Sequence, residues 1–457
     1  MDGITSERAH RDRDGTGARR ARRVRRVFEG LLAVCLAAGA AGCAAPEEEV
    51  TPLVDCSTAA TNERLLGLMR DVYLWNDQIP DVDPRSYPSA EALLEDLLYP
   101  ERDHWSYVAP RSRVDAYYRD GESLGIGARW KYDAAGAMRF ALVYPGSAAE
   151  EAGLARGDEL LAVNGKTVAE IEDGELWGTI TGEDAEGVEV TLAVRKESES
   201  GEAADVAVRK RWYSLQTVSA QEVLEVGGRK VGYLALDRFI GPSGPAITEA
   251  FAGFHEEGVE DLVLDLRYNG GGLTETARYL ASLIGGKEID GRAYSVVMHN
   301  DRHRDWDGVA RFELREHALN LKRVAIIATG ATASASEMLI NGLRPWLDAM
   351  AVIGDTTYGK PVGMRSYQDC GMTITPIMFR ALNADGNGDF YDGLPVDCPA
   401  EDQVGAPLGD PTESSLAEAL HWLESGACST ADRAPAERGR AEKPLRLPGL
   451  LGEIGAF

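Results

Sequence analysis

Three short segments place chemically useful residues where apolar, strand-like runs end. The first, "DLRYNGGG" (265–272), closes with three glycines whose backbone N–H groups can turn toward a ligand. The second, "ATASASEMLI" (331–340), carries Ser334 at the start of a helix-like run. The third, "GDTTYGKP" (354–361), carries Lys360 beside a glycine. Together they offer a nucleophile, a base and backbone donors, which are the parts of covalent hydrolytic catalysis.

Each segment also has an ordinary structural interpretation. Ser334 and Glu337 stand in the S-x-x-E relation of a capping box, which satisfies backbone donors at a helix start and contributes about 1 kcal/mol. Taken alone, the glycines indicate a tight turn and Lys360 a solvated loop residue. The joint occurrence of the three segments favours the catalytic interpretation, in which N–H groups and the helix dipole stabilise a developing oxyanion.

A serine nucleophile needs a base, and the seven histidines offer no obvious one. His299 and His303 lie four residues apart but lack the glutamate of a zinc-protease motif, so we interpret both as surface residues. Lys360 is therefore the candidate base. A lysine accepts a proton only when neutral, and burial favours that form.

The surrounding periodicity predicts the elements that position these residues. "TNERLLGLMRDVYLW" and "SAEALLEDLLYP" have the apolar spacing of helices. From residue 230 onward, apolar strand-like runs alternate with helical ones. This alternation predicts an α/β layer around a mainly parallel sheet, with functional residues at the carboxyl ends of the strands.

Residues from about 122 resemble a PDZ domain, through "SLGIGARW", "PGSAAEEAGL" and "GDELLAVNG". The resemblance implies a groove that accepts a peptide C-terminus as an added strand. Its carboxylate-binding loop falls on Leu124, Gly125, Ile126 and Gly127. The alternative is a packing module with a closed groove.

The whole stretch from about 60 to 425 resembles the C-terminal processing, or tail-specific, serine peptidases. "DHWSYV", the PDZ stretch, "DLRYNGGG", "TASASEM" and "TYGKP" follow one another in that family's order. The resemblance implies a multi-domain α/β protein whose core is of the ClpP/crotonase-like peptidase type. It assigns Ser334, rather than Ser336, as nucleophile and Lys360 as base, with no cofactor or metal. The implied oxyanion hole comprises Gly270, Gly271, Gly272 and the amide of Ala335, while Glu337 keeps its capping role.

One position departs from the family pattern. Many members have a glutamine four residues after the lysine, whereas this chain has Met364. The departure leaves a second hypothesis open, namely a catalytically impaired scaffold of the cell envelope that binds tails without cleaving them.

The start of the chain predicts export. A basic run (19–26) precedes an apolar run (31–42), and Ala40-Ala41-Gly42-Cys43 resembles a bacterial lipobox. We expect a lipidated Cys43 that attaches the protein to a membrane of the cell envelope, facing the periplasm or the exterior. An ordinary cleaved signal is the alternative.

Four further cysteines predict two disulfides in an exported chain. Spacing alone leaves three pairings open, of which we favour Cys370 with Cys398 and Cys56 with Cys428. The oxygen-rich segment 383–393 lacks the closing glutamate of a calcium loop and indicates an acidic turn. The net charge of −26 argues against nucleic acid as a partner.

The expected partners are therefore proteins or peptides with free apolar C-termini. The expected domain order is a signal, a tether, a helical domain, a PDZ domain, a catalytic domain and a flexible tail. Their predicted ranges are 1–43, 44–56, 57–120, 121–197, 198–428 and 429–457.

Overall fold

The computed structural model describes residues 54–197 and 202–429. The predicted signal, Cys43, most of the tether and nearly all of the C-terminal tail lie outside these residues. The helices are α1 (Thr58–Val72), α2 (Ala90–Leu97), α3 (Arg111–Asp115), α4 (Ala148–Glu151), α5 (Val168–Asp173), α6 (Ser243–Glu257), α7 (Thr274–Gly285), α8 (Ala335–Leu343) and α9 (Ser414–Ser425).

The strands are β1 (Tyr107–Pro110), β2 (Glu122–Gly125), β3 (Ala128–Tyr132), β4 (Met138–Val143), β5 (Glu159–Val163), β6 (Lys166–Thr167), β7 (Glu189–Arg195), β8 (Ala204–Arg209), β9 (Arg211–Ser214), β10 (Val218–Val226), β11 (Arg229–Leu236), β12 (Asp261–Asp265), β13 (Ala293–Met298), β14 (Gly308–Arg311), β15 (Arg323–Ala328), β16 (Ala349–Gly354), β17 (Val362–Met364), β18 (Tyr367–Asp369), β19 (Met372–Thr375), β20 (Ile377–Leu382) and β21 (Cys398–Pro399).

A six-stranded sheet forms the centre of the fold, in the order β10-β11-β12-β15-β16-β21. The strands from β11 to β21 are parallel, and β10 adds antiparallel at one edge. The predicted α/β layer with a mainly parallel sheet is confirmed. The three candidate segments follow β12, β15 and β16, which are neighbours in the sheet, so their loops emerge side by side.

Helices cover both faces of this sheet because its strands are apolar on both sides. Residues such as Leu234, Leu264 and Ile326 face one way and pack with α6, α7 and α8. Their neighbours, such as Tyr233 and Ile327, face the other way and pack against α9. The strands are therefore held rigidly, which is the property that a site at their ends requires.

The region resembling a PDZ domain is a separate antiparallel sheet, ordered β3-β4-β5-β7-β8, with β6 paired to β5. Its own apolar core includes Phe140, Leu160 and Leu192. Three further sheets in the described residues have the strand orders β14-β13-β20-β17, β1-β19-β18 and β2-β9.

The N-terminal helices α1 and α2 pack into one apolar cluster with residues that follow the lysine segment. Leu65, Met69 and Leu93 share this cluster with Val362 and Ile377. The backbone N–H of Leu74 also donates to the carbonyl of Ile377 at 2.9 Å. The helical start of the chain therefore supports the strands beside the site. None of the helices in the described ranges combines the length and hydropathy that a bilayer crossing requires.

The described residues contain two disulfides, but the predicted pairing is wrong. Cys56 bonds to Cys370, and Cys398 bonds to Cys428. The guanidinium of Arg64 on α1 binds the Asp369 carboxylate at 2.9 Å, which brings the start of the helix to the β18–β19 turn and Cys56 to Cys370. Spacing along the chain could not show this ion pair, because the two residues are distant in sequence.

Replacing both members of one disulfide by serine tests this arrangement. The bridges close loops of sequence separation 314 and 30, and chain entropy then gives about 6 and about 4 kcal/mol respectively. We expect loss of Cys56–Cys370 to lower the free energy of unfolding by about 2 kcal/mol more than loss of Cys398–Cys428. Urea unfolding without reductant measures the difference. A non-reducing peptide map showing any other pairing would contradict the arrangement.

Candidate active site

Ser334 lies between the carboxyl end of β15 and the first residue of α8, and it is 9% exposed. Its backbone adopts φ 55° and ψ −114°. A non-glycine residue held at such an angle stores about 1–3 kcal/mol, which the surrounding structure must offset. Such strain concentrates at functional sites, and here it falls on the predicted nucleophile.

The carboxylate of Glu337 joins the serine to the lysine segment. Glu337 is fully buried and lies in the first turn of α8. Its oxygens accept four hydrogen bonds, from Ser334 N (2.8 Å), Thr357 Oγ1 (2.5 Å), Gly359 N (2.7 Å) and Lys360 N (2.8 Å). The predicted contact with the Ser334 backbone is present, but three of the four donors come from the loop after β16.

Burial raises the pKa of the Glu337 carboxyl above its ordinary value, and the hydrogen bonds from Thr357, Lys360, Gly359 and Ser334 oppose that rise. All four donors need an acceptor, so the ionised form fits this environment. The backbone nitrogens of Ser334 and Lys360 donate to the same oxygen, Oε2. The two predicted catalytic residues are therefore positioned by one atom.

Lys360 is only 2% exposed. It is therefore not the solvated loop residue that its segment, taken alone, indicates. Its Nζ lies 5.6 Å from the ring centroid of Trp105 and 3.5 Å from Met364 Sδ. The Trp105 Nε1–H donates to Tyr358 Oη at 3.3 Å, so the ring is itself fixed against the lysine segment. Met364 therefore contacts the lysine from the position where many family members have a glutamine.

The three predicted oxyanion glycines occupy different environments. A Cβ at Gly271 would lie 2.8 Å from Ser334 Cβ and 2.9 Å from Ala335 N, so glycine alone permits this approach. The N–H of Gly271 donates to Asn269 Oδ1 at 2.9 Å. Gly272 instead packs on the backbone of Phe239, where a Cβ would lie 2.1 Å from the carbonyl oxygen.

The glycine loop is fixed to the serine loop by Asn269. Its carbonyl accepts hydrogen bonds from Ala333 N at 3.1 Å and from Ser336 Oγ at 3.0 Å. Its side-chain amide donates to the carbonyl of Leu236 at 3.0 Å. Ser336 is fully buried and serves this packing, while Gly270 precedes Gly271 in the same loop. Gly271 and Ala335 are the two predicted donors that the structure places beside Ser334.

The predicted peptide-binding loop of the PDZ region opens onto the edge strand β3. Leu124 and Gly125 belong to β2 and pair with β9, whereas Ile126 is 7% exposed and sits in the core. Gly127 adopts φ 81° against Ser147. Leu124 and Gly125 therefore end β2, and Ile126 and Gly127 connect it to β3.

The groove between β3 and α5 is bridged in this structure. The Tyr132 hydroxyl on β3 donates to Glu172 Oε1 on α5 at 2.8 Å, and Trp177 Nε1–H donates to the same oxygen at 2.6 Å. The rings of Trp130 and Trp177 lie 5.7 Å apart. A bound tail would have to displace these contacts along part of the groove.

Cations on β3 also attach the PDZ region to the central sheet. Arg129 Nη1 donates to Asp237 Oδ1 at 3.0 Å and to the Tyr268 carbonyl at 2.8 Å. Lys131 Nζ donates to Asp402 Oδ2 at 2.9 Å. Tyr268 directly precedes Asn269, so the PDZ region contacts the glycine loop itself.

Asp402 is the shared acceptor of this interface. It is bound by Lys131 and Arg156 from the PDZ region and by Arg267 and the Tyr268 hydroxyl from the segment after β12. Burial alone would raise the pKa of Asp402, but Lys131, Arg267 and Arg156 hold it well below its usual range. The interface is therefore a satisfied, buried ionic network.

Two further predictions have mixed outcomes. The surface interpretation of His299 is wrong, because the residue is 4% exposed and packs against Phe379 and Trp306. Burial lowers the pKa of this imidazole. In the segment that resembles a calcium loop, Asn383 Oδ1 accepts the N–H groups of Asp385 and Asn387. That oxygen closes a turn, as the acidic-turn interpretation predicts.

Sequence reasoning missed the contacts of Trp105, Thr357 and the Glu337 carboxylate with the lysine segment. The sequence predicted Glu337 as a capping residue, and this role explains only its hydrogen bond from Ser334 N. Trp105 lies within the quoted "DHWSYV" segment, but nothing in its spacing indicates contact with a lysine 255 positions later. These contacts depend on how distant segments pack.

Comparison with known proteins agrees with this architecture. The model of peptidase family S41 matches residues 230–390, that of the peptidase S41 N-terminal domain matches 60–107, and a PDZ domain model matches 139–175. The first match contains both Ser334 and Lys360.

Curated relatives include a probable CtpA-like serine protease of Staphylococcus aureus, 26% identical over 319 residues, which are 69% of this chain and 60% of the relative. The carboxy-terminal processing protease CtpA of Bacillus subtilis is 27% identical, over 62% of this chain and 56% of that protein. The alignments thus span less than two thirds of these relatives.

Among solved structures, a putative S41 protease from Bacteroides fragilis aligns with a TM-score of 0.64 and 23% identity, covering 79% of this chain and 97% of that one. The photosystem II D1 C-terminal processing protease aligns with a TM-score of 0.50 and 19% identity, covering 77% and 95%. These likenesses show a shared fold. The family models show a domain of peptidase family S41 at residues 230–390, together with that family's N-terminal domain at 60–107 and a PDZ domain at 139–175.

Proposed function

We propose that this protein is a serine endopeptidase that uses Ser334 as nucleophile and Lys360 as general base. One observation carries the proposal, which is that the backbones of both residues donate to the same Glu337 oxygen in a buried site. A positioning carboxylate of this kind fixes two side chains from distant segments relative to each other. The match of residues 230–390 to the model of a peptidase family supports the same conclusion.

In the proposed mechanism, the Ser334 hydroxyl attacks the scissile carbonyl carbon while the neutral Lys360 amine accepts the hydroxyl proton. The tetrahedral intermediate then collapses, the C–N bond breaks and Lys360 returns the proton to the leaving amine. A water molecule then attacks the acyl-enzyme while Lys360 accepts its proton. The ester C–O bond breaks, and Lys360 returns the proton to the Ser334 oxygen. Each proton transfer by a positioned base contributes about 10²–10⁴ in rate.

The oxyanion formed in this reaction needs donors beside Ser334. Ala335 is the first residue of α8, and the N–H groups of a first helical turn have no intrahelical acceptor. Gly271 is the second candidate donor. Its N–H now donates to the Asn269 side chain and would donate to the oxyanion instead. Such donors contribute about 10²–10³ in rate.

We further propose that the substrates are proteins or peptides with free apolar C-termini, which add to the edge strand β3 near Leu124–Gly127. The edge position of β3 supports this assignment. Tail binding would compete with the Tyr132–Glu172 contact that bridges the groove.

The same proposal places the protein in a bacterial cell envelope, exported and anchored through a lipidated Cys43. The basic run, the apolar run and the lipobox-like ending support export. Two disulfides in the described residues fit an oxidising compartment, where such bonds persist.

Replacing either dyad residue should abolish proteolysis. We expect Ser334→Ala to leave no measurable cleavage of an unfolded protein with an apolar C-terminus, and Lys360→Ala to lower kcat at least about 100-fold. Lys322→Ala, which alters an exposed lysine paired with Glu288, is the matched control and should retain full activity. Chelator should have no effect. Tail binding without cleavage by the parent protein would instead support the scaffold hypothesis.

Glu337→Gln should lower kcat about 100-fold, because an amide cannot accept all four hydrogen bonds and displaced catalytic groups lose rate steeply. Since burial raises the pKa of Glu337 above the ordinary 4.5, the carboxyl takes up a proton as pH falls through that raised value. Glutamine cannot take up this proton, so kcat of the variant is compared with that of the parent at a pH well above that value, where the parent carboxyl is ionised. Glu257→Gln, at an exposed ion pair, is the control. An unchanged kcat in Glu337→Gln would refute the positioning role.

Gly271→Ala should reduce activity about 100-fold or more, because its Cβ would press on Ser334 Cβ and Ala335 N from 2.8 and 2.9 Å. Gly228→Ala is a matched control, since Gly228 also has a positive φ (77°) but open space around its Cβ. The backbone cost of alanine is then common to both variants. Equal activity in the two variants, measured as kcat/KM, would show that the close approach at Ser334 is dispensable.

A further inference from the structure

Met364 contacts the proposed base but has no role in the proposed mechanism. Its Sδ accepts a hydrogen bond from Lys360 Nζ at 3.5 Å, and a thioether sulfur is only a weak acceptor. The residue ends β17, and the pairing of β17 with β20 shifts register between Gly363 and Met364. Irregularities of this kind, such as β-bulges, re-aim a side chain away from regular alternation. The backbone of β17 therefore directs the sulfur to the lysine.

The Met364 side chain is also accessible from solution. It is partly exposed, and β17 is the end strand of its sheet. On its inner side it packs against the apolar cluster that contains Trp105 and Ile377. A small molecule can therefore reach a side chain that touches the proposed base.

The sulfur groups of the described residues differ in how readily a peroxide can oxidise them. All four cysteines within 54–197 and 202–429 are joined in disulfides. Methionine is then the sulfur that takes up oxygen, and its sulfoxide is returned to the thioether by reductases. Met69 and Met378 are fully buried, whereas Met364 is partly exposed. Exposure therefore favours oxidation at Met364 over oxidation at these buried positions.

We propose that Met364 is a site of reversible oxidation by peroxides and that its sulfoxide raises the activity of Lys360 as a base. A lone pair of Sδ attacks one peroxide oxygen, and the O–O bond breaks as the S–O bond forms. The other oxygen takes up the proton of the transferred oxygen and leaves as water. The sulfur is thereby oxidised and the peroxide reduced. The inference rests on the proposed function, because it requires Lys360 to act as the base.

The sign of the effect follows from the hydrogen-bond chemistry of the two sulfur forms. Oxidation makes the side chain polar, and the new oxygen is bonded to the sulfur that Lys360 Nζ already contacts. A neutral amine that donates to this stronger acceptor has fewer orientations than one beside a weak thioether acceptor. Holding a reacting group in its productive orientation raises the rate. The sulfoxide is therefore the more active form.

Glutamine offers the same acceptor without oxidation. A sulfoxide carries its oxygen on the side-chain atom that corresponds to the amide carbon of glutamine, whose oxygen also accepts hydrogen bonds. Many members of the family that this chain resembles have glutamine at the position of Met364. An oxygen acceptor at this position is thus compatible with a lysine base.

Three substitutions separate the effect of the oxygen from that of side-chain shape. Met364→Gln supplies the oxygen permanently, whereas Met364→Leu has a similar volume and no oxidisable sulfur. Met350→Leu is the matched control. Met350 is also partly exposed, but it lies near the amino end of β16, away from the loop that carries Lys360. Its removal deletes a comparable peroxide target at a distance from the site.

The experiment measures cleavage of an unfolded protein before and after treatment with dilute hydrogen peroxide, with peptide mass spectrometry to give the oxidised fraction at each methionine. We expect kcat of the parent to rise about fivefold, the effect of one ordinary hydrogen bond, in proportion to sulfoxide at Met364. Methionine sulfoxide reductase should reverse the rise. Met364→Gln should show the higher kcat without treatment. Neither Met364 variant should respond to peroxide, and Met350→Leu should respond as the parent does.

Several results would overturn the inference while leaving the peptidase intact. These are cleavage by the parent that stays constant or falls as Met364 is oxidised, a Met364 thioether that persists while Met350 is oxidised, and a response of Met364→Leu equal to that of the parent. No cleavage by the untreated parent, the oxidised parent or Met364→Gln would instead refute the proposed function, and this inference with it. Cleavage that begins only after oxidation would support both.

Discussion

The site depends on the buried carboxylate of Glu337. A buried charge is costly unless hydrogen bonds compensate it, and here four donors from two separate segments do so. The same hydrogen bonds also satisfy the donors, because these backbone and hydroxyl groups would otherwise be buried without partners. The start of α8 and the loop after β16 are therefore held together, and with them Ser334 and Lys360.

The parallel sheet makes this convergence possible. Strands β12, β15 and β16 are adjacent, and their carboxyl ends carry the glycine loop, the serine and the lysine in that order. Apolar packing on both faces fixes the strands. The buried network around Asp402 then connects the PDZ region to the segment before the glycine loop, with all its charged members paired. Satisfied buried networks of this kind specify one arrangement of the parts.

Much of this architecture could be predicted from the residues. The alternation of strand-like and helical apolar runs after residue 230 predicted the parallel sheet, because strands covered on both faces must be apolar throughout. The glycine run, Ser334 and Lys360 stood out because each follows such a strand. The disulfide pairing could not be predicted in this way, since the Arg64–Asp369 ion pair that aligns Cys56 with Cys370 joins segments far apart in the chain.

By itself, the sequence determined which residues have the chemistry of the site, the class of fold and the order of its regions, because local periodicity and residue type encode them. Tertiary structure alone decided that Glu337 would join the serine to the lysine loop, and that Trp105 and Met364 would contact Lys360. Each of these contacts joins residues whose proximity is set by the packing of whole elements. Such packing is a property of three-dimensional shape and burial, which spacing along the chain does not record.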